Sequence, residues 1–310
     1  MSSGITPRRR VAIAGTGHRG AGMWGKELLA GWRDQVDIVA LCDVNALRAH
    51  AAQRLIGTNA PVYADAARML AEVKPETLIV SSRDDTHDEI IIQALEAGIH
   101  VITEKPLTTT PEKCRAILEA QRRTGGKIDV TFNYRFAPAA AKLKELLVSG
   151  VIGEVVSVDF HWYLDTAHGA DYFRRWHAFE KHSGSLFVHK ASHHFDLLLW
   201  YLDSAPKQVF ATAALRHYGR NGAFRGERCQ GCAHAKTCEF HFDAAADPWL
   251  DALYSAPAAA DGYLRDACVF REDIDIADTM TAAILFENGA QASYSLNACM
   301  PIEGDRKSVV

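Results

Sequence analysis

Residues 11–20 read VAIAGTGHRG, a short apolar run followed by three glycines in the spacing G-x-G-x-x-G. The run Val11–Ala14 is typical of a strand that is covered on both faces of a parallel sheet. Gly15 permits a tight turn, Gly17 lets a pyrophosphate approach the backbone, and Gly20 lets a helix pack closely on the strand. The N-terminus of that helix presents N–H groups and a positive dipole end to the anion. Taken alone, the motif could also be an ordinary glycine-rich loop.

A carboxylate closes the second apolar stretch, because DIVALCD (37–43) ends at Asp43. An acidic residue at this distance from the glycine turn can accept hydrogen bonds from the ribose hydroxyls and repel a 2′-phosphate. We therefore predict NAD as the cofactor, while Arg48, the nearest guanidinium downstream, leaves NADP possible. The predicted cofactor site comprises Gly15, Gly17, His18, Arg19, Gly20, Asp43, Ser81, His87, Glu104 and Lys105.

Strand and helix patterns alternate as far as about residue 133. Helical patterns cover 21–31, 45–56, 64–72, 87–97 and 111–124, and the strands between them are VDIVALCD, TLIVSS, HVITEK and KIDVTFN. This alternation predicts an α/β domain with a Rossmann-type, doubly wound parallel sheet and helices on both faces. A ligand is then expected beyond the carboxyl ends of the strands.

The second part of the chain has a different texture. Helical patterns at 138–149 and 189–202 are combined with period-two segments at 207–215, 279–286 and 290–296. They predict an α+β domain with a mainly antiparallel open sheet. We expect a dinucleotide-binding domain over 1–127 and a substrate and oligomerisation domain over 128–310, with a cysteine-rich insertion at 225–241 and a long irregular excursion at 243–262.

The stretch HVITEKP (100–106) places Glu104, Lys105 and Pro106 at the end of a predicted strand. Oxidising a secondary alcohol requires a base for the hydroxyl proton while hydride leaves to nicotinamide, and reduction requires the same group as an acid. The positive charge of an oxidised nicotinamide ring favours the neutral form of a neighbouring amine. Lys105 is therefore the candidate proton carrier, and the alternative is a surface lysine in a loop.

Several motifs together resemble the glucose-fructose oxidoreductase and inositol dehydrogenase family (Gfo/Idh/MocA). They are GTGHRG, THDEIIIQALEAGIHVITEKP, FNYRF (132–136) and VIGEV (151–155). The family's second-domain helix normally carries an acidic residue, a histidine four later and an acidic residue three beyond that. Here HKASHHFD supplies His189, His193 and Asp196 at that spacing, so a histidine replaces the first acidic residue. The resemblance implies a dehydrogenase with Lys105, His193 and His189 as catalytic residues.

The resemblance also implies a sugar, cyclitol or glycoside as substrate. Candidate substrate-binding residues, which offer hydrogen bonds and aromatic faces, are Asn133, Tyr134, Arg135, Arg175, Trp176 and His194. Aromatic residues in this region could equally be core residues. Two alternative functions stay open: an enzyme that retains NAD and cleaves glycosides through transient oxidation, and a catalytically silent sensor or scaffold that binds the cofactor.

Three cysteines in RGERCQGCAHAKTCEFH (225–241) follow the spacing C-x2-C-x5-C. Two thiolates held by a short turn suit one tetrahedral ion, so we predict a structural zinc bound by Cys229, Cys232, Cys238 and Cys268. His234 or His241 could replace the fourth cysteine, and unliganded thiols are the main alternative. His189 and His193, one helical turn apart in a helix, offer a second possible metal site.

Composition narrows the class of protein. The 310 residues are 48% hydrophobic and carry a net charge of -4 with a pI near 6.4, which gives no nucleic-acid footprint. No apolar run approaches the roughly 20 residues that span a bilayer. The apolar stretch after Arg8–Arg10 is broken too early for a signal peptide, and seven scattered cysteines suit reduced thiols, so we predict a cytoplasmic protein.

Two expectations concern assembly and the C-terminus. The expected partners are a small carbohydrate-like molecule and further copies of the chain, as a homodimer or homotetramer formed through the second-domain sheet. The chain stops at GDRKSVV (304–310), where the family's sheet usually continues. We therefore expect a truncated or frame-disrupted tail that leaves a sheet edge and part of an apolar face exposed.

Overall fold

The computed structural model of the protein describes residues 7–302. The described chain divides into two compact units. The first unit extends to Thr131 and also contains Asp243–Arg265, whereas the second consists of Phe132–Phe242 and the chain from Asp266 onward. A segment distant in sequence therefore forms part of the first unit.

The first unit is built on a six-stranded sheet in which all strand pairs are parallel. Its strands are β1 (Arg9–Ala14), β2 (Val36–Cys42), β3 (Val62–Tyr63), β4 (Thr77–Val80), β5 (His100–Thr103) and β6 (Ile128–Val130). Their order in the sheet is β3-β2-β1-β4-β5-β6. This is the strand order of a doubly wound dinucleotide-binding domain, so the predicted fold class is confirmed.

Helices cover the sheet between successive strands. After β1 come a π-helical segment (Arg19–Lys26) and α1 (Glu27–Gly31), and the later helices are α2 (Ala46–Ile56), α3 (Ala66–Val73), α4 (His87–Glu96) and α5 (Pro111–Thr124). The side chains of Asn45, Asp65 and Thr110 accept backbone N–H bonds at the starts of α2, α3 and α5. Such N-caps fix where each helix begins, and they could be foreseen from the sequence.

The second unit combines short helices with a four-stranded sheet. Its elements are α6 (Pro138–Val148), β7 (Ser157–Asp165), α7 (Thr166–Arg174), α8 (Glu180–Ser183), α9 (Ser185–His189), α10 (Ser192–Leu202), β8 (Pro206–Ala214), β9 (Thr279–Phe286) and β10 (Gln291–Met300). The sheet order is β7-β10-β9-β8, with β7 and β10 parallel and the other two pairs antiparallel. Burial alternates along β9 and β10, which places one face of the sheet on the core.

The prediction of one long helix over 189–202 is wrong in one respect, because the chain forms two helices there. α9 ends at His189 and α10 begins at Ser192. At the junction the N–H of His193 donates to the carbonyl of Lys190, a turn-type bond in place of the usual helical bond. No glycine or proline marks this position, so no helix-breaking residue predicts the interruption.

The irregular excursion contains several short elements. They are a 3-10 turn (Ala244–Ala246), α11 (Pro248–Leu250), a π-helical turn (Asp251–Ser255) and α12 (Ala258–Asp261). Further 3-10 turns lie at Asp84–Thr86, Asn133–Phe136, Trp176–Ala178 and Gly219–Asn221. Leu253 is completely buried and Tyr254 nearly so, so the middle of the 243–265 segment is packed against the protein.

The last described strand, β10, lies inside its sheet between β7 and β9. The edges of this sheet are β7 and β8, and Phe210 on β8 is 73% exposed. The expectation of a truncated tail falls on residues 304–310, which lie outside the described residues. Across residues 7–302, every helix is too short or too polar to traverse a lipid bilayer.

We expect Gly20→Ala to destabilise the first unit. An ideal Cβ at Gly20 would lie 1.9 Å from the carbonyl oxygen of Gly15, which is backbone and cannot rotate away. Overpacking of this kind costs about 1–3 kcal/mol or more. Gly22→Ala is the matched control, because no atom lies within 4 Å of its ideal Cβ, and alanine is a better helix former. Thermal and urea unfolding of both variants test the difference; equal stability would contradict the close packing.

Candidate functional site

The glycine turn joins β1 to the following helix under tight steric limits. Gly15 has a φ of +91°, and a Cβ there would lie 2.3 Å from the backbone nitrogen of Ser82. The hydroxyl of Ser81, just beyond β4, donates to the carbonyl of Gly15 at 2.8 Å. Gly20 touches the same carbonyl. The turn is therefore held between the ends of β1 and β4, which is where a doubly wound sheet binds its ligand.

Asp43 directly follows β2 and is 8% exposed. Its Oδ2 accepts hydrogen bonds from the backbone N–H of Thr16 at 2.9 Å and from the Thr16 hydroxyl at 3.1 Å. Its Oδ1 accepts from the backbone N–H of Asn45 at 2.9 Å. These bonds orient the carboxylate next to the glycine turn, in the position where a dinucleotide-binding domain contacts the adenosine ribose.

The guanidinium of Arg48 is held by two carboxylates. Nη1 lies 3.2 Å from Asp43 Oδ1, Nη2 pairs with Asp261, and Nε donates to the carbonyl of Leu253 at 3.3 Å. The two carboxylates raise the pKa of Arg48 even though burial, the largest single effect, opposes them. Arg48 thus joins the ribose-side carboxylate to the 243–265 segment.

Glu104 binds the helical segment that follows the glycine turn. This carboxylate is 6% exposed, and its Oε1 accepts from Arg19 Nε at 2.7 Å and from Trp24 Nε1 at 2.8 Å. The predicted cofactor residues Arg19 and Glu104 therefore bind each other. Their pairing fixes the first turns of the helix against the segment that follows β5.

Lys105 follows Glu104 and is half-buried, and the peptide bond between Lys105 and Pro106 is cis. His87, which is completely buried, contacts this segment through its ring nitrogens. Its Nδ1 lies 3.0 Å from the carbonyl oxygen of Pro106, and its Nε2 lies 3.3 Å from that of Ser82. His87 therefore ties the lysine segment to the end of β4, which is a positioning role.

In the second unit, His193 stacks on Tyr134. Their ring centroids are 4.0 Å apart with an interplanar angle of 8°. The amine of Lys190 donates to the Tyr134 hydroxyl at 3.0 Å and lies 5.5 Å from the centroid of the Trp162 ring. Lys190 is only 3% exposed, so a buried amine, two aromatic rings and a histidine are grouped together.

His189 belongs to a different group of rings. Its ring centroid lies 4.1 Å from that of His177, and the His177 ring stacks on Trp176 at 3.6 Å. Tyr172 contacts both histidines edge-on at 5.4 Å. The predicted residues His189 and Trp176 are thus brought into one aromatic cluster, while His193 contacts Tyr134.

The remaining candidate substrate residues have diverse environments. Arg135 forms a two-pronged ion pair with Asp196 at 2.7 and 2.5 Å, which raises the pKa of Arg135. Arg175 pairs with Asp171 at 3.2 Å, and Asn133 is exposed at the start of a 3-10 turn. His194 is completely buried, and its Nδ1 lies 2.9 Å from the Tyr294 hydroxyl, which is typical of a core histidine.

The predicted zinc centre is not supported. The structure does bring Cys229, Cys232, Cys238 and Cys268 to the lining of one small cavity. However, within residues 7–302 no group of three or more His, Cys, Asp or Glu side chains could hold a metal ion. The possible metal site at His189 and His193 is therefore not supported either. Zinc binds thiolates, whereas burial raises the pKa of Cys229 and favours its neutral thiol. All seven cysteines are free thiols.

Tyr254 contacts the glycine turn, although no motif in the sequence predicts it as a site residue. Its hydroxyl accepts a hydrogen bond from the backbone N–H of His18 at 2.8 Å, although the two residues are 236 positions apart. Lys190 is a second residue for which the sequence motifs predicted no role. A lysine within the largely apolar stretch LFVHKASHHFDLLLW could have suggested a buried amine, but no local pattern indicated that residue 254 returns to the glycine turn.

The strand order and the glycine turn are those of a dinucleotide-binding domain. Residues 9–132 match the model of an oxidoreductase family with an NAD-binding Rossmann fold, and residues 144–309 match the model of that family's C-terminal alpha/beta domain. The chain belongs to this family, Gfo/Idh/MocA, as its motifs suggested. It is therefore an oxidoreductase with an NAD-binding Rossmann domain.

Individual relatives agree with this assignment. An oxidoreductase named YteT from Bacillus subtilis is 36% identical over 324 residues, covering 97% of this chain and 74% of that protein. A D-glucoside 3-dehydrogenase from Escherichia coli is 37% identical over 149 residues, covering 47% and 41%. The structure of scyllo-inositol dehydrogenase from Lactobacillus casei with bound NAD(H) and scyllo-inositol has a TM-score of 0.66 at 20% identity, covering 94% and 71%.

We expect His87 to make stability depend on pH. Burial lowers the pKa of His87 below its ordinary 6.5, so the folded state keeps the ring neutral. As the pH falls through about 6.5, the unfolded chain takes up a proton that the folded chain does not, and the folded state loses up to about 1.4 kcal/mol per pH unit.

Urea unfolding on both sides of that pH measures the effect. His87→Gln should lose less stability on acidification than the wild type, since the titrating group is gone. His50→Gln, which replaces an exposed histidine on α2, should keep the wild-type dependence. An identical acid loss in His87→Gln and the wild type would show that His87 is not the group responsible.

Proposed function

We propose that the protein transfers hydride between NAD and a secondary hydroxyl or ketone of a sugar, cyclitol or glycoside. The observation that carries this proposal is the position of Lys105. It lies two residues after the end of β5, and the glycine turn and Ser81 directly follow β1 and β4. These three strands are neighbours and parallel, so all three loops leave the same edge of the sheet.

The residues of the first unit fit the cofactor. Gly17 has no side chain that would keep a pyrophosphate from the backbone of the turn, and the Asp43 carboxylate, oriented by Thr16, is available to the ribose. When bound, NAD supplies the nicotinamide carbon that accepts or donates the hydride. Within the proposed cofactor site, we assign His87, Arg19 and Glu104 to holding the surrounding loops, a role that their hydrogen bonds support.

In the proposed reaction, the neutral amine of Lys105 accepts the proton of the substrate hydroxyl during oxidation, and the ammonium returns it during reduction. We assign His193 to a hydrogen bond with the reacting oxygen, a role for which stacking on Tyr134 orients the ring. His189 supplies an imidazole where the family usually has a carboxylate. It therefore offers a donor or an acceptor according to its protonation state.

A carbohydrate-like substrate is supported by the side chains near these histidines and by the relatives. Tyr134, Trp162 and Trp176 provide aromatic faces, and polar groups from Lys190 and His177 lie beside them. Aromatic surfaces with a few polar groups are typical of sites for small ligands. The named activity of the E. coli relative, a D-glucoside dehydrogenase, points to the same substrate class.

We propose NAD in preference to NADP. A 2′-phosphate would meet the negative charge of Asp43, and Arg48 is already paired with Asp43 and Asp261. We expect Asp43→Ser to lower the ratio of NAD affinity to NADP affinity by at least about tenfold, since about 1.4 kcal/mol of charge repulsion corresponds to that factor.

Calorimetric titration with both nucleotides measures this ratio. A general loosening of the site would weaken NAD and NADP equally and would leave the ratio unchanged. Asp37→Ser is the control, because Asp37 is an exposed carboxylate near the start of β2, the strand that Asp43 follows. An unchanged ratio in Asp43→Ser would place the ribose contact elsewhere.

We expect Lys105→Met to lower kcat by roughly two to four orders of magnitude, because the proton acceptor is lost while the length of the side chain is kept. NAD affinity should stay nearly intact. NADH absorbance with a panel of inositols, sugars and glycosides first identifies a substrate, and the variant is then compared on it. Lys127→Met, at an exposed lysine before β6, should behave like the wild type. Full turnover by Lys105→Met would reject the assignment.

The same panel separates the two alternative functions. Release of an aglycone without net NADH formation would favour glycoside cleavage by an enzyme that retains its cofactor. Nucleotide binding without turnover of any substrate, in either direction, would favour a sensor or scaffold.

We further propose a homodimer or homotetramer that forms through the second-domain sheet. One face of β9 and β10 is buried on the core, and exposed residues on β8, including Val209 and Phe210, offer an apolar edge. Seven free thiols agree with a reducing compartment, and we propose the cytoplasm.

A further inference from the structure

Tyr254 lies at the point where the glycine turn is open to the cofactor. Its hydroxyl is 2.8 Å from the backbone nitrogen of His18 and accepts that N–H. An ideal Cβ at Gly17 would lie 2.9 Å from the same hydroxyl, so the lack of a side chain at Gly17 makes room for it. The second glycine of this motif is the position at which the backbone approaches the pyrophosphate.

The 243–265 segment holds Tyr254 there through several independent contacts. Asn45 Nδ2 donates to the carbonyl of Pro257 at 2.8 Å, and Arg48 binds the carbonyl of Leu253 and the carboxylate of Asp261. The Arg48 guanidinium also lies 5.5 Å from the centroid of the Tyr254 ring. Tyr254 is only 6% exposed, so these contacts and its burial together restrict the position of its hydroxyl.

The chemistry of a phenol decides what this hydroxyl can do. A tyrosine hydroxyl has one proton to donate and lone pairs that accept. Because a lone pair accepts the His18 N–H, the proton of the hydroxyl is directed away from the turn. A dinucleotide that reaches the turn brings phosphate oxygens, which accept hydrogen bonds and carry negative charge.

We propose that Tyr254 is a pyrophosphate ligand, supplied to the glycine turn by the 243–265 segment. The hydroxyl relays the His18 N–H: it accepts from the backbone and donates its own proton to a phosphate oxygen. The segment thereby forms one wall of the cofactor site on the adenosine side, where Arg48 links it to Asp43. This role is additional to the glycine motif, which binds phosphate through backbone N–H groups alone. It rests on NAD binding and is independent of the proposed substrate and of Lys105.

The test measures binding, with the full-length chain and the variant Tyr254→Phe. Isothermal titration with NAD, ADP and adenosine separates the phosphate contact from the rest of the site. A hydrogen bond to a charged group contributes enough that its loss weakens binding at least about tenfold. We expect that loss for NAD and ADP and a change of less than about twofold for adenosine, which has no phosphate.

Tyr263→Phe is the matched control, because it removes a hydroxyl from the ring that packs edge-on against Tyr254 at 5.7 Å. It should bind all three ligands within about twofold of the wild type, and the melting temperatures of both variants should confirm that they are folded. Equal or tighter binding of NAD by Tyr254→Phe would show that the hydroxyl blocks the site or stands apart from it. An equal loss for adenosine and ADP would show that the hydroxyl only supports the segment. Either result would overturn the proposal, whereas a protein that binds NAD in the expected manner but turns over no alcohol would refute only the proposed function.

Discussion

The first unit depends on one close approach of backbone to backbone, between Gly20 and the carbonyl of Gly15. Only glycine allows the helix to start this near to the end of β1, and the same carbonyl also accepts the Ser81 hydroxyl from the end of β4. The turn is thus fixed to two neighbouring strands. The positions of the helix N-terminus and of Glu104, which binds the helix through Arg19 and Trp24, follow from it.

Charged groups around the turn are mostly satisfied by one another. Asp43 accepts bonds from Thr16 and Asn45 and pairs with Arg48, while Arg48 extends the network to Asp261. A buried charge destabilises the folded state unless it is paired. Removing one member of this network would therefore leave its partners buried with an unpaired charge. The network therefore links the cofactor-side carboxylate to a segment more than 200 residues later in the chain.

The second unit shows how a family motif can keep its spacing while its surroundings change. His193 and Asp196 retain the expected positions, and His189 replaces an acidic residue. The helix is interrupted between α9 and α10. The ring of His189 packs against those of His177 and Trp176, whereas His193 stacks on Tyr134. The cysteines illustrate a different limit. The four predicted ligands line one cavity, but the zinc prediction is not supported, because sulfur atoms that line a cavity need not have the geometry and the thiolate charge that zinc requires.

The sequence by itself determined the parallel sheet, the glycine turn, the carboxylate after β2 and the lysine after β5. These features are set by local rules, since apolar runs, capping residues and glycines act within a few positions of each other. The tertiary structure alone decided the partners of those residues. Tyr254 reaches His18, His87 holds the carbonyl of Pro106, and Lys190 is buried against Tyr134. Contacts between residues distant in the chain depend on how whole elements pack, and no periodicity or spacing in the sequence encodes that packing.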